Sequence, residues 1–463
     1  MVHLLQETAG STGLLPFQVD GVNALVERPG LLLADDMGLG KTIQAIRALR
    51  TIIKWAPETK ALVIVPAGLV GQWRSELQRW SPELQFSTVR GAVPDRAWQW
   101  RASANVFIVS YDTFRSDFTL NPHAPVAREW DVVVLDEAQR IKNRDTGIAR
   151  CCKQIIRRRA WALTGTPLEN TLDDLASVLE FVRPRRRDER LSPLRPADPA
   201  LFEVHRSVQL RRRKVDVLPQ LPAKTVVPVV LELTEGQRAS YQRAERDGIV
   251  RLKSLGREVR VEHVLELITR LKQICNFCPQ TGESAKLEDL RERVATLAAE
   301  GERALVFSQY TDEQFGVQRI AHALAAFEPL SYTGRLSQHE RESVVERFRR
   351  DSAHRVLVLS LRAGGVGLNL QEASYVFHFD RWWNPAVERQ AEDRTHRMGQ
   401  VHPVFVYTYT CIDTIEERIE STLAAKQALF DEVVDATSID LHSAFNLQEL
   451  LALFGLQQNS AMP

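Results

Sequence analysis

Short runs of aliphatic and β-branched residues recur along this chain, separated by segments long enough to form helices. The runs are LLLAD (31–35), ALVIVP (61–66), VFIVS (106–110), VVVLDE (132–137), WALTGT (161–166), ALVFSQ (304–309), VLVLS (356–360), YVFHFD (375–380) and VFVYTY (404–409). Strands that are apolar on both faces and alternate with helices are typical of parallel sheets with crossover helices. The pattern therefore predicts an α/β fold with two lobes, one for each group of runs.

The segment between the two groups lacks this rhythm. From about residue 168 to 300, polar helical periodicity replaces it, as in EHVLELITRLKQIC (262–275). The stretch 183–199 is the linker candidate, because prolines break helices and clustered arginines resist burial. We divide the chain into a first lobe (1–167), a short helical protrusion with linker (168–220), the start of the second lobe with a second protrusion (221–300), a second-lobe core (301–420) and a C-terminal helical tail (421–463).

Composition excludes several classes of protein. Hydrophobic residues make up 44% and charged residues 26% of the chain, as in ordinary globular proteins. No apolar run approaches the ~20 residues of a membrane span, and the start MVHLLQETAG does not resemble a secretory signal. The formal charge of +1 means that any nucleic-acid surface must be local. Cys275 and Cys278 form a lone CxxC, which without further ligands does not predict zinc.

A glycine-rich turn, DDMGLGKT (35–42), follows the first run and precedes a predicted helix. This is the context of a phosphate-binding loop, although Asp35 replaces the usual first glycine. Lys41 would reach the β- and γ-phosphates, and the hydroxyl of Thr42 would hold Mg²⁺. The loop residues that would line the phosphates are Asp36, Met37, Gly38, Leu39, Gly40, Lys41 and Thr42. The alternative is a glycine-rich turn with no ligand.

Paired acids end another predicted strand. In VVVLDEAQ, Asp136 can bind the magnesium and Glu137 can orient and deprotonate an attacking water. Two acids at a strand end are also common as solvated caps. Their place downstream of the phosphate loop favours an ATPase site.

A phosphoryl transition state also needs positive charge from outside the phosphate loop. In RQAEDRTHRMGQ (389–400), the near-helical spacing of Gln390, Arg394 and Arg397 predicts that they share one helix face. The two arginines are candidates for fingers that reach the phosphate from the second lobe. The alternative is a solvated face with ion pairs to Glu392 and Asp393.

These residues lie in motifs that together resemble the Swi/Snf family of superfamily-two helicase-like ATPases. In order, the motifs are ADDMGLGKTIQA, LVIVPAGLVGQWRSEL, VSYDTF, VVLDEAQRIKN, ALTGTPLEN, ALVFSQYT, VLVLSLRAGGVGLNL and DRWWNPAVERQAEDRTHRMGQ. The resemblance implies two RecA-like lobes with helical protrusions and the hydrolysis of ATP with Mg²⁺. It also implies an enzyme that moves along double-stranded DNA as a DNA-dependent ATPase and remodels or displaces protein–DNA complexes.

The resemblance also implies roles for further residues. Gln18 would read the adenine, and Gly365 would lie near the γ-phosphate. Gln390, Arg394 and Arg397 match the sixth motif. The implied contacts with the DNA backbone are Thr113, Thr164, Gly165, Ser308, Gln309, Thr333, Gly334, Arg362, Asn369 and Trp383. We expect the basic cluster from Arg211 to Lys214 to contact DNA or the other lobe, and the cluster from Arg157 to Arg159 to be mostly solvated.

Some questions stay open at this level. DEAQ replaces the usual DEAH, so Gln139 is expected to tune the coupling of hydrolysis to movement rather than to abolish it. Alternative functions are a strand-separating DNA or RNA helicase of superfamily two and a remodeller associated with RNA polymerase. We expect a monomer on DNA, no membrane partner, and a location in the cytoplasm with the nucleoid in a prokaryote or in the nucleus of a eukaryote.

Overall fold

The computed structural model describes residues 13–120, 128–165, 172–187, 192–195, 199–361, 368–382, 385–431 and 446–456. The chain divides into two compact units, Met1–Gln220 and Leu221–Pro463. Each unit is built on one parallel sheet with helices packed against it, so the predicted α/β fold with two lobes is confirmed. Within the described ranges, no helix is long and apolar enough to cross a membrane.

The first unit contains a seven-stranded sheet in the order β3-β4-β2-β5-β6-β1-β7 within the described residues. Its strands are β1 (Gly30–Leu33), β2 (Ala61–Val65), β3 (Phe86–Val89), β4 (Val106–Ser110), β5 (Trp130–Asp136), β6 (Arg157–Leu163) and β7 (Gln209–Leu210). The five predicted runs form β1, β2, β4, β5 and β6, and β1, β2 and β4 are buried throughout. All pairings are parallel, so the carboxyl ends of β1 and β5 lie at the same edge, where open α/β sheets bind ligands.

The helices of the first unit connect these strands and cover the sheet. They are α1 (Pro16–Glu27), α2 (Lys41–Trp55), α3 (Val70–Trp80), α4 (Val93–Gln99), α5 (Tyr111–Leu120), α6 (Gly147–Gln154), α7 (Leu172–Val182), α8 (Pro199–Val208) and α9 (Lys214–Val217). Arg157 corrects the expectation of a solvated cluster, because only 1% of it is exposed. Its guanidinium donates to the carbonyl oxygens of Phe181 and Arg183 at the end of α7, and burial lowers its pKa to about 9.

The second unit contains a six-stranded sheet in the order β10-β11-β9-β12-β13-β8 within the described residues. Its strands are β8 (Lys224–Leu231), β9 (Ala304–Ser308), β10 (Leu330–Tyr332), β11 (Val356–Ser360), β12 (Tyr375–His378) and β13 (Val404–Cys411). The four predicted runs form β9, β11, β12 and β13. The strand β8 lies where we predicted only helices, and that part of the prediction is wrong. β8 contains Pro228, which an edge strand tolerates because the missing N–H faces away from the ladder.

The helices of the second unit include the predicted helical segment, which forms α11. They are α10 (Glu235–Leu255), α11 (Val261–Asn276), α12 (Ala285–Glu300), α13 (Val317–Ala323), α14 (Gln338–Arg350), α15 (Pro385–Glu392), α16 (Ile415–Asp431) and α17 (Leu447–Ala452). Leu267, Ile268 and Leu271 of α11 form an apolar cluster with Ile415 of α16 and Leu450 of α17. This cluster fixes the predicted second protrusion to the unit.

Candidate nucleotide site

The glycine-rich turn forms the connection between β1 and α2. Gly38 and Gly40 have positive φ angles of 83° and 79°, which side chains other than glycine rarely adopt. Lys41 begins α2, and its Nζ donates to the carbonyl oxygens of Asp35 at 2.6 Å and Asp36 at 3.2 Å. Burial lowers the pKa of this ammonium, although nearby carboxylates oppose the shift. The loop therefore combines left-handed glycines, a helix N-terminus and a held lysine, which is a phosphate-binding arrangement.

Asp136 and Glu137 lie at the carboxyl end of β5. Glu137 adopts a left-handed conformation with a φ of 53°, which is uncommon outside glycine and is often found at functional sites. Burial, together with the adjacent Glu137 carboxylate, raises the pKa of Asp136 to about 7. A buried carboxylate of this kind is stabilised by a cation, and carboxylate and hydroxyl oxygens are ligands that suit Mg²⁺. Asp136 and Thr42 thus fit the predicted metal role.

Two aromatic residues hold Asp136 in place. Trp73 of α3 donates its indole N–H to Asp136 Oδ2 at 2.6 Å, and the hydroxyl of Tyr111 donates to the Asp136 carbonyl at 2.9 Å. Both rings are buried. Trp73 was not assigned to the site from the sequence. Its place in the QW pair of the second motif was the available signal, but the contact itself spans 63 residues.

Gln139 connects the paired acids to the strand that follows. Its Nε2 donates to Glu137 Oε2 at 2.7 Å, and its Oε1 accepts from the hydroxyl of Thr164 at 2.9 Å. The amide therefore uses a donor and an acceptor at once, which neither a carboxylate nor an aliphatic side chain can do. This geometry shows how glutamine substitutes for the usual histidine of the motif.

Thr164 and Gly165 lie beside Gln139 and the glycine-rich turn. Only 2% of Thr164 is exposed, and its hydroxyl is bonded to Gln139. A Cβ added to Gly165 would come within 2.4 Å of Met37 Cγ and 3.4 Å of Lys41 Nζ. The Thr164 hydroxyl is therefore used within the protein, which corrects its predicted contact with DNA, whereas the contact at the half-buried Gly165 stays a prediction.

Gln18 lies next to the loop on α1. Its Nε2 donates to the Leu39 carbonyl at 3.2 Å, and its Oε1 accepts from the Leu15 N–H at 3.0 Å. Gln18 is buried, so the predicted adenine reader is held against the phosphate loop.

Thr113 lies in the first turn of α5 and accepts a hydrogen bond from the hydroxyl of Ser110 at 2.9 Å. It stays a candidate for contact with DNA.

One residue of the basic cluster after α8, Arg212, contacts the phosphate loop. Arg212 is mostly buried and forms an ion pair with the fully buried Asp35, with 2.5 Å between Nη2 and Oδ2. Asp35 is the residue that departs from the usual phosphate-loop pattern. The structure thus places Arg212 against the phosphate loop, and the expected contact of this cluster with DNA or the other lobe stays a prediction.

In the second unit, the predicted finger residues do not share a helix face. α15 ends at Glu392, so only Gln390 is helical, and Arg394 and Arg397 lie in the turns that follow. The helix ends here because the Thr395 hydroxyl donates to the Glu392 carbonyl at 2.8 Å and Arg394 N donates to the Ala391 carbonyl. Arg394 Nη1 also donates to the Leu368 carbonyl at 3.4 Å.

Among the remaining predicted DNA contacts, Ser308 is corrected by the structure. It has no exposed surface, and its hydroxyl donates to Asp380 Oδ2 at 2.5 Å. Gln309, Thr333 and Asn369 are buried or half-buried, whereas Gly334 is exposed with open space around it. Arg362, Gly365 and Trp383 lie outside the described residues. The buried Asp380 also accepts from the Gln309 N–H at 2.9 Å, so it shapes this loop.

The two cysteines of the CxxC motif have different surroundings. Cys278 Sγ lies 3.3 Å from the Ser240 hydroxyl, whereas Cys275 is close to Cys411 and Glu416. Glu416 is already bonded to the ammonium of Lys286 at 2.6 Å and to the Cys411 N–H at 3.0 Å. Its carboxylate is therefore neutralised by the protein itself.

Two parallel sheets, a phosphate loop and a held pair of acids define a class of protein, the P-loop ATPases. The sequence profile of the SNF2-related domain matches residues 17–279, and that of the helicase conserved C-terminal domain matches residues 285–399. The chain belongs to the SNF2 family and carries its ATPase core.

The chain is similar to several individual proteins. The chain is 34% identical to the putative ATP-dependent helicase/translocase YwqA of Bacillus subtilis, over 96% of this chain and 51% of that protein. It is 33% identical to an uncharacterized ATP-dependent helicase of Mycoplasma pneumoniae, over 96% of this chain and 44% of that one. The chain thus spans about half the length of the curated relatives it matches. A solved Sulfolobus solfataricus SWI2/SNF2 ATPase core in complex with dsDNA is 30% identical, covering 91% of this chain and 93% of that one, with a TM-score of 0.41.

Proposed function

We propose that this chain is the motor of a double-stranded DNA translocase that hydrolyses ATP to remodel or displace protein–DNA complexes. The observation that carries the proposal is the cluster at the carboxyl edge of the first sheet. Lys41 lies in a phosphate loop there, and the Asp136–Glu137 pair is linked through Gln139 to Thr164. Residues linked in this way can transmit a structural change at the γ-phosphate to the motif that contains Thr164.

The residues divide the work of hydrolysis. Lys41 and the loop amides bind the phosphates, and Gln18 selects the adenine. Glu137 orients the attacking water and takes its proton, while Gln139 fixes the carboxylate that does so. Mg²⁺ held by Asp136 and Thr42 would neutralise charge on the phosphates. Arg394 and Arg397 supply positive charge to the transition state, and their engagement and release would drive alternating grip on DNA.

The substrate assignment follows from the motif series and from charge. A protein with a formal charge of +1 has no general attraction for polyanions, so local contacts to one strand of the backbone suit it. Thr113, Gly165, Gln309, Thr333, Gly334 and Asn369 stay the candidates for these contacts in the described residues. The relatives named as helicase or translocase are consistent with a motor.

A triplex-displacement assay tests the proposal. Movement along duplex DNA should release a third strand in an ATP-dependent manner, whereas a forked duplex of the same length should stay paired. The Glu137→Gln variant should bind ATP normally and release no third strand. Efficient unwinding of the fork would instead favour a strand-separating helicase, and activity confined to RNA would favour an RNA helicase. Displacement of a stalled RNA polymerase can then be measured as one candidate task.

A further inference from the structure

The segment that joins the two units is bonded near one end to residues of the predicted phosphate loop. Near its other end it is bonded to residues that neighbour Arg394 and Arg397 in the sequence. We call this segment, residues 209–224, the connector. It begins with β7, which pairs with β1, and it ends where Lys224 begins β8. The boundary between the two units falls between Gln220 and Leu221, within the connector.

In the first unit, the connector backbone runs along the start of the phosphate loop. The Leu210 carbonyl accepts from the Ala34 N–H at 2.8 Å, and the Arg212 carbonyl accepts from the Asp36 N–H at 3.0 Å. The Lys214 N–H then donates to Asp36 Oδ2 at 3.0 Å. The loop and the connector therefore extend the sheet pairing beyond the end of β1.

Arg212 adds a side-chain contact to this pairing. Its Nε donates to Asp35 Oδ1 at 2.9 Å, and its Nη2 donates to Asp35 Oδ2 at 2.5 Å and to Gln44 Oε1 at 2.8 Å. Its Nη1 donates to the carbonyl of Phe17, the residue before Gln18. One guanidinium therefore joins the phosphate loop, α1 and α2, in the forked geometry that only arginine provides.

Gly21 makes this close approach possible. A Cβ at this position of α1 would lie 1.8 Å from Gln44 Oε1 and 2.8 Å from Arg212 Nη2. Glycine is unfavourable in the middle of a helix. Here it leaves room for the Arg212–Gln44 hydrogen bond.

In the second unit, the connector contacts the segment that carries the predicted fingers. Lys224 Nζ donates to Glu392 Oε2 at 2.7 Å, and His396 Nε2 lies 2.9 Å from the Pro222 carbonyl oxygen. Glu392 is two residues from Arg394, and His396 is adjacent to Arg397. The other oxygen of Glu392 lies 3.4 Å from the buried His378. Although burial opposes it, His378 and Lys224 together lower the pKa of Glu392 to about 2.

We propose that the connector positions both sets of ATPase residues, with Arg212 holding the phosphate loop and Lys224 holding the turns that carry Arg394 and Arg397. The inference rests on the proposed function for the roles of these residues. It predicts that the two contacts affect different kinetic constants. Loss of Arg212 weakens ground-state binding of the nucleotide, whereas loss of Lys224 slows turnover, because the arginines act on charge in the transition state.

The first test measures the Kd of a fluorescent ATP analogue and the KM for ATP in the full chain. Arg212→Gln should raise both by at least about tenfold, which corresponds to about 1.4 kcal/mol. Arg212→Lys should give a smaller rise, and Gly21→Ala should weaken binding with the charge intact. The control is Arg158→Gln, because Arg158 pairs with Glu129 on the exposed surface. An unchanged Kd in both Arg212→Lys and Gly21→Ala would overturn the role of Arg212.

The second test distinguishes a slower turnover from a smaller fraction of folded protein. Lys224→Met should lower kcat by at least about tenfold while the analogue still binds with unchanged Kd and unchanged stoichiometry, and Lys224→Arg should restore most of the rate. Arg238→Gln, which removes an exposed pair with Glu232, is the control. A fall in kcat that matches a fall in binding stoichiometry would show a merely structural role and overturn the assignment. The binding measurement with the ATP analogue needs no DNA. It therefore tests the connector even if DNA does not stimulate the wild-type ATPase.

Discussion

At the scale of single residues, the most informative contact is the hydrogen bond from the indole of Trp73 to Asp136. It holds one carboxylate oxygen and leaves the other to accept from the Glu137 N–H at 3.0 Å. Asp136 is the predicted magnesium ligand, and neighbours that orient a ligand commonly tune metal affinity. The Trp73 side chain therefore contributes to function as well as to the core.

Replacement of Trp73 by phenylalanine tests this role. Trp73→Phe removes a hydrogen bond to a charged group, a loss of about 1.5–3 kcal/mol, so the Mg²⁺ concentration for half-maximal ATPase should rise by about tenfold or more. The control is Trp161→Phe, because Trp161 is equally buried and its indole N–H has no hydrogen-bond partner among the described residues. Equal Mg²⁺ dependence in both variants would contradict the assignment.

Gln139 provides a second prediction at this scale. Gln139→Ala breaks the link between Glu137 and Thr164 and should reduce kcat severalfold with little change in KM. Gln139→Glu should reduce kcat further at neutral pH, because a carboxylate at this position, 2.7 Å from Glu137, repels the Glu137 carboxylate instead of donating a hydrogen bond to it. Steady-state kcat and KM of the two variants measure this difference. A kcat of Gln139→Glu equal to that of Gln139→Ala would rule out this electrostatic account.

At the scale of elements, a buried polar network joins α11 to β9 and to the end of β12. Asn276 Nδ2 donates to Asp380 Oδ2 at 2.9 Å, and Asn276 Oδ1 accepts from Lys286 Nζ at 3.3 Å. The same carboxylate receives the Ser308 hydroxyl, which explains why Ser308 is not a surface residue.

Truncation of Asn276 should therefore destabilise the second unit. Asn276→Ala removes one hydrogen bond each from the buried Asp380 and Lys286, at a cost of about 1–3 kcal/mol. The free energy of unfolding of the second unit, measured in urea, should fall by that amount and lower the midpoint of its transition, with no change in the first-unit transition. A midpoint equal to that of the wild type would show that the network contributes no net stability.

The ion pair between Lys224 of β8 and Glu392 of α15 should make the free energy of unfolding depend on pH. The pKa of Glu392 is lowered to about 2 in the folded chain from an ordinary value of 4.5. A carboxylate with a lowered folded-state pKa stabilises above its unfolded pKa, and this contribution is lost as pH falls from about 4.5 towards 2. The stability difference between the wild type and Glu392→Gln, measured in urea at pH 6 and pH 3, should therefore shrink at the lower pH. A difference that stays constant would contradict the pairing.

At the scale of the whole molecule, the sequence predicts the sheets better than the contacts between distant segments. Nine strands were predictable because continuous apolar runs carry their own signal, whereas the short edge strands β3, β7 and β10 and the proline-containing edge strand β8 do not. Lys41, Asp136 and Glu137 were predictable because each lies in a local motif. The Arg212–Asp35 pair spans 177 residues, so no local pattern could reveal it. The helical spacing of Gln390, Arg394 and Arg397 gave a wrong prediction of a shared helix face. Hydrogen bonds of the side chain and backbone end α15 at Glu392, before the two arginines.

The central claim is that this SNF2-family core is an ATPase whose rate of hydrolysis is stimulated by duplex DNA. The most direct measurement is the steady-state ATPase rate with no nucleic acid, duplex DNA, single-stranded DNA or RNA, each at low and moderate salt. We predict strong stimulation by duplex DNA that weakens with salt, because the contacts are to phosphates. Equal stimulation by all three polymers, or stimulation only by RNA, would contradict the account.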